Sequence, residues 1–127
     1  MAPSSLSICT HNVHGFLSQR EFLHSRCLSN SNLVQCIQEH WLPPPYKKKV
    51  GTNALRTVHP DFEGFATSAM RKTEENVIRR GRGFGGTGFI YPKSLSGSMR
   101  PRIKFNHEIV SVMEIECRNF DLLIINI

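Results

Sequence analysis

Residues Asn32 to Leu42 read Asn-Leu-Val-Gln-Cys-Ile-Gln-Glu-His-Trp-Leu, and the fold turns on them. The run Leu33-Val34-(Gln35)-Cys36-Ile37 has the length and apolar make-up of a buried strand. Gln38-Glu39-His40-Trp41 follows directly, so a carboxylate and an imidazole fall where that strand should end. Strand ends are where a rigid scaffold presents chemistry.

Working upstream, Ser5–Val13 alternates Leu6 and Ile8 with smaller or polar residues and reads as a first strand. Asn12 and His14 sit where it turns into a loop, and Gly15 allows a sharp exit. Ser18-Gln19-Arg20-Glu21 has the form of a capping box, with Leu17 and Phe22 spaced as a hydrophobic staple. Leu23 and Cys27 continue an i, i+4 stripe, and Ser29-Asn30-Ser31-Asn32 supplies turn formers. Strand, helix, strand in this order requires a crossover, so the strands around Ser5 and Leu33 are expected to be parallel neighbours.

Downstream, Pro43-Pro44-Pro45 forces an extended exit and Lys47-Lys48-Lys49 follows in solvent. Strands are expected at Phe62–Met70, with Phe65 and Ala66 packed, and at Gly86–Tyr91, closed by Pro92. Arg71–Arg82 reads as a charge-dense connecting loop. Glu108–Cys117 and Leu122–Ile127 are apolar strands joined by a tight link, expected to pair antiparallel.

A chain of 127 residues suits one small domain. Its 39% hydrophobic and 20% charged residues are those of a globular chain rather than a disordered one. No apolar run approaches the roughly 20 residues that span a bilayer. The opening Met-Ala-Pro-Ser-Ser-Leu-Ser lacks a basic and an apolar signal region. An intracellular chain, nuclear or cytoplasmic and not secreted, is therefore expected. The formal net charge of +6 is uneven: Lys47 to Lys104 holds thirteen Lys and Arg against four acids, a net +9, while the remainder carries −3. Positive charge concentrated this way is the electrostatic footprint of a protein that approaches phosphates.

Two other motifs invite a functional reading and lose it on context. Arg80 to Gly88 contains Gly-x-Gly-x-x-Gly twice, but a dinucleotide fingerprint opens a helix and this one leads into a strand. It reads instead as a glycine-rich arm from which Arg79, Arg80 and Arg82 can reach phosphates. Cys9-x-His11-x-x-His14 and Cys36-x-x-x-His40 hold zinc-type ligands at no standard structural-zinc spacing. The four scattered cysteines are more simply small buried hydrophobes in a reducing compartment.

Taken together, Thr10-His11-Asn12-Val13-His14-Gly15 and Gln38-Glu39-His40-Trp41-Leu42 resemble the start of the endonuclease/exonuclease/phosphatase superfamily. Within it, the sequence looks closest to the endonuclease domain of LINE-type (non-LTR) retrotransposons. The likeness extends through Gly86-Thr87-Gly88-Phe89-Ile90 and the closing Leu122–Ile127 strand. It implies an α/β fold, the N-terminal half of a four-layer α/β/β/α sandwich of DNase I-like type. It also implies a magnesium- or manganese-dependent endonuclease that nicks DNA, with Glu39 on the metal and Asn12 in the phosphate site. Lys47, Lys48, Lys49, Arg79, Arg80 and Arg82 would hold the DNA backbone. His14 stands where the family commonly has Asn or Asp, and His40 replaces the commoner Thr.

The family completes its site with a Tyr after the last strand, then Gly-Asp-x-Asn, then Ser-Asp-His, and none of these occurs in the 127 residues. Water orientation is therefore missing, and the expectation is about half of such a domain, inactive by itself. The rival reading is a non-catalytic basic nucleic-acid-binding remnant. A third, within the same fold, is a phosphatase or phospholipase acting on small substrates, which has less use for widely spread cations. If the chain supplies mainly one sheet, the inner sides of Leu33–Ile37, Glu108–Cys117 and Leu122–Ile127 stay uncovered. Self-association would follow.

Overall fold

A computed structural model describes residues 5–43, 52–68, 85–95, 97–102 and 109–127. Chain order runs β1 (Ser7–Asn12), α1 (Phe16–Ser29), β2 (Leu33–Gln38), a 3₁₀ segment (Thr52–Thr57), β3 (Phe62–Ala66) and β4 (Thr87–Pro92). It continues with a 3₁₀ turn (Lys93–Leu95), β5 (Met99–Pro101), β6 (Ser111–Glu116) and β7 (Asp121–Asn126). The first four strands form one sheet in the order β1-β2-β4-β3, and the last three form a second, β5-β6-β7.

β1 and β2 are parallel, with Ser7 opposite Leu33 and Asn12 opposite Gln38, as a crossover through α1 requires. β4 then pairs antiparallel with β2 and with β3. The polar interruption in β2 also has its reason: Gln35 is fully buried, and its amide donates to the Leu23 carbonyl of α1 at 3.3 Å. β6 and β7 pair antiparallel with Glu116 opposite Asp121, as expected from the tight link between them.

Two cores form. On one face of the first sheet, Phe16, Leu23 and Cys27 of α1 and Leu55 and Val58 of the 3₁₀ region pack over Ile37, Phe62 and Ile90. On the other face, Val34, Cys36, Phe89 and Tyr91 meet Met99, Met113 and Ile115 of the second sheet, with Leu122 and Ile124 beside them. The layers are thus helix, sheet and sheet. This corrects one expectation: the chain supplies both sheets, and the inner sides of β2, β6 and β7 cover one another.

The helix start also differs. α1 begins at Phe16, with Gly15 as its cap residue and no side-chain cap. Ser18 lies inside the first turn and its hydroxyl donates back to the Gly15 carbonyl, so no capping box forms. Leu17 and Phe22 are both exposed rather than stapled. The reason is Phe16: fully buried, with its N–H on the His40 carbonyl at 2.9 Å, it sets the helix register from the end of β2. Burial of a large aromatic outweighs a cap contributing about 1 kcal/mol. The connecting loop expected over residues 71–82 lies outside the described residues.

Candidate functional site

The chain leaves β2 through a left-handed turn that few side chains accept. Glu39 and Trp41 have φ of 60° and 63°, and His14, at the end of β1, has φ of 46°. Non-glycine residues in this region each cost of order 1–3 kcal/mol and persist only where the surroundings over-determine them. Here they do. The Glu39 and His40 carbonyls accept from the N–H groups of Gly15 and Phe16, at 2.8 and 2.9 Å. On the other side, the N–H groups of Glu39 and Trp41 donate to Gly86 and Gly85, at 2.9 and 3.1 Å. The β1–α1 turn and the entry to β4 therefore hold the Glu39–Trp41 backbone from both sides.

Two glycines make this possible. A Cβ on Gly15, itself at φ 100°, would lie 2.8 Å from Cε3 of Trp41. A Cβ on Gly86, at φ 89°, would lie 2.4 Å from Cε1 of His40. The His40 ring fills the space Gly86 leaves, nearly inaccessible to solvent. Its Nδ1 accepts from the Leu42 N–H at 2.8 Å, which assigns the proton to Nε2, 2.7 Å from the Thr67 carbonyl. Burial pushes its pKa down to about 4, so the ring is neutral and locked. With both nitrogens engaged, and Cys36 buried between the sheets, that pair offers no zinc site.

Asn12 and Glu39 end adjacent parallel strands on the same side, because Asn12 pairs with Gln38 in the register. Asn12 is exposed and Glu39 is half-buried, so both are open to a ligand. The indole Nε1–H of Trp41 donates to Oε2 of Glu39 at 2.8 Å, and the exposed His14 ring stands edge-on to Trp41 at 6.0 Å. Gln38 faces the Thr10 hydroxyl at 2.8 Å and also donates to Oδ1 of Asn126, which is buried at the end of β7. The Asn126 amide in turn donates to the Ile37 and Gly88 carbonyls, at 3.0 and 2.8 Å. Asn126 thereby ties the second sheet to the strand that carries Glu39.

Asn12 and Glu39 thus stand at the same end of neighbouring strands, and His14 stands beside Trp41. Lys47, Lys48, Lys49, Arg79, Arg80 and Arg82 lie outside the described residues. Trp41, Gly86 and Asn126 carry roles the sequence reading missed. A lone Trp directly after Glu-His and a lone Asn in an apolar strand were the available signals.

Among the described residues, no group of three or more His, Cys, Asp or Glu is set to hold a metal ion. One carboxylate beside an amide is an all-oxygen donor set. It suits magnesium or manganese, which often take one or two carboxylates and keep several waters. Cysteine-rich or imidazole-rich metal chemistry does not fit.

No protein-family model matches the sequence, and no curated protein matches it significantly. Solved structures do. The AP endonuclease LMAP from Leishmania major superposes with a TM-score of 0.60 at 15% identity, covering 94% of this chain and 38% of that one. The 3′ phosphatase NExo from Neisseria, solved with a product DNA hairpin, gives 0.51 at 12% identity, covering 94% of this chain and 40% of that one. At these identities the likeness is one of fold, and it is the DNase I-like α/β sandwich. The chain spans about two-fifths of the length of these neighbours. No helix among the described residues is long and apolar enough to cross a membrane.

Proposed function

We propose that Glu39 and Asn12 form the metal-binding and phosphate-binding half of a phosphodiesterase site of DNA endonuclease type. The observation that carries this is the strained turn at Glu39, held from both sides where two parallel strands end. Strain of this kind, built around a carboxylate beside an amide, is a mark of a working site rather than of a strand cap. Glu39 would hold Mg²⁺ or Mn²⁺, and the Asn12 amide would donate to a phosphate oxygen. The ion, when bound, supplies Lewis-acid stabilisation of charge developing on the phosphoryl group. His14 can donate to the same phosphate, and the positive charge of the basic middle, including Lys47 to Lys49 and Arg79 to Arg82, would neutralise DNA backbone charge.

The retrotransposon type rests on Gln38-Glu39-His40-Trp41-Leu42. An intracellular location, nuclear or cytoplasmic, belongs to the same reading. The 127 residues bring no Gly-Asp-x-Asn or Ser-Asp-His motif to orient the attacking water. The 127-residue chain by itself is therefore expected not to nick supercoiled plasmid above background with Mg²⁺ or Mn²⁺. With the inner faces covered, self-association is proposed on a different ground, the exposed Leu123 and Ile125 on the outer side of β7.

The test is direct. Mn²⁺ titrated into the chain and followed by water-proton relaxation should show a site that Glu39→Gln abolishes. Duplex DNA binding should weaken with salt, with a slope in log K against log salt of about −0.9 per phosphate neutralised. Replacing Lys47, Lys48 and Lys49 by Ala should flatten that slope. DNA binding without any Glu39-dependent metal site would favour a non-catalytic nucleic-acid-binding module instead.

A further inference from the structure

We infer that Trp41 is a positioning residue for Glu39, fixing which carboxylate oxygen faces a divalent cation. This rests on the metal reading of Glu39 above and adds to it a residue with no metal-binding atom of its own. An indole Nε1–H is a donor only, so its approach to Oε2 of Glu39 at 2.8 Å assigns that oxygen to the protein and leaves Oε1 for an incoming ligand.

The contact is not an accident of two flexible side chains. Trp41 is two residues from Glu39, and both stand at positive φ, which brings alternate side chains of the turn to the same side. The indole is seated over Gly15, where any Cβ would collide with its six-membered ring. Between them, His40 points the other way into the protein and is fixed by Leu42 and Thr67. The turn backbone is bonded at Glu39, His40 and Trp41. The turn backbone and the indole are thus each restrained by contacts separate from the one between Trp41 and Glu39. A carboxylate presented by one oxygen in a fixed orientation loses little freedom when it binds a cation. Groups that orient metal ligands in this way typically change affinity about 10- to 100-fold when removed.

Trp41 is the sole tryptophan of the chain, so its indole N–H gives one unambiguous cross-peak in a ¹⁵N–¹H spectrum. The experiment combines that signal with Mn²⁺ affinities from water-proton relaxation for the full chain, Glu39→Gln and Trp41→Phe. Trp41→Phe keeps an aromatic ring at this position and removes the donor together with one ring of the indole. The expected result is Mn²⁺ binding that Glu39→Gln abolishes and Trp41→Phe weakens about 10-fold or more. The indole cross-peak should also shift on saturation with Mg²⁺. Should Trp41→Phe fail to fold, benzothienylalanine at position 41 replaces N–H by sulfur within the same shape, and it should weaken Mn²⁺ equally. If Mn²⁺ binds through Glu39 but the donor-less variants bind within twofold of the parent and the indole signal stays still, the inference is overturned while the metal reading stands. Should Glu39→Gln leave Mn²⁺ binding unchanged, or the parent bind none, the metal reading falls and takes the inference with it.

Discussion

In the four-stranded sheet, β2 and β4 are buried along almost their whole length, under α1 on one face and against the second sheet on the other. In the three-stranded sheet, β7 alternates between half-buried and exposed side chains although Leu122 to Ile125 are all apolar. By composition β2 and β7 look alike; what separates them is a covering layer. The candidate site sits on the covered sheet, where the edge strand β1 and its parallel neighbour β2 end, and packing on both faces of β2 restrains the strand that delivers Glu39. A strained turn persists only on such a support.

The largest expected effect probes the face the two sheets share. Phe89 lies fully buried on β4, opposite Cys36 of β2 and Phe65 of β3, within the inter-sheet core. Phe89→Ala should cost about 3–5 kcal/mol in urea denaturation, a large part of the ~5–15 kcal/mol typical of a whole domain. Leu123→Ala, on the outer side of β7, should cost less than about 1 kcal/mol. Equal losses would mean that the two sheets are not packed as described.

A second test addresses the turn. His40 is neutral when folded, with a pKa of about 4, against an ordinary value of 6.5 when unfolded. Between those values the unfolded chain binds the proton and the folded chain does not, so stability falls as pH falls through that window. It should be flat above about pH 7 and roughly 3 kcal/mol lower near pH 4, measured by denaturation of the metal-free protein. His11, also lowered by burial, adds a smaller effect of the same sign. His40→Asn should remove most of the slope; a slope unchanged in that variant would mean that other groups generate it.

How far the sequence disclosed all this depends on whether the signal was local. β1, α1 and β2 were legible because apolar spacing and the Asn-x-x-Gly turn are written in consecutive residues, and the parallel pairing followed from the crossover rule. The start of α1 was misplaced because Ser18–Glu21 carries a local cap signal, whereas the deciding interaction joins Phe16 to His40, far along the chain. The 3₁₀ segment at Thr52–Thr57 and β5 went unseen; neither shows a hydrophobic period, and both form against neighbours. At the site, residue types pointed to Glu39 and Asn12. Nothing in the local sequence announces positive φ at Glu39 and Trp41, since that backbone is imposed by Gly15, Gly85 and Gly86 from two other parts of the chain. Asn126 read as an interruption of an apolar strand and proves to be the polar bridge between the sheets.

The smallest expected effect on stability falls on the uncovered side of the second sheet, where the consequence for association is the greatest. Leu123 and Ile125 on β7 and Ile127 just past its end are 51%, 58% and 77% exposed, and the strand's other edge is unpaired among the described residues. Adjacent apolar side chains beside a free edge form a template for pairing with another chain, and natural sheets blunt such edges with lysine. The double change Leu123→Lys and Ile125→Lys places two charges on this face, opposite Glu114 and Val112 in the register. The first of the two new lysines should be tolerated across from the Glu114 carboxylate, and neither side chain supports the inter-sheet core. The change in unfolding free energy should therefore stay within about 0.5 kcal/mol. Sedimentation velocity at increasing concentration should show the parent associating and the double variant remaining monomeric, with weaker binding of a hydrophobic dye. Association that persists undiminished in the variant would move the contact to another surface, and a parent that stays monomeric at high concentration would remove the idea altogether.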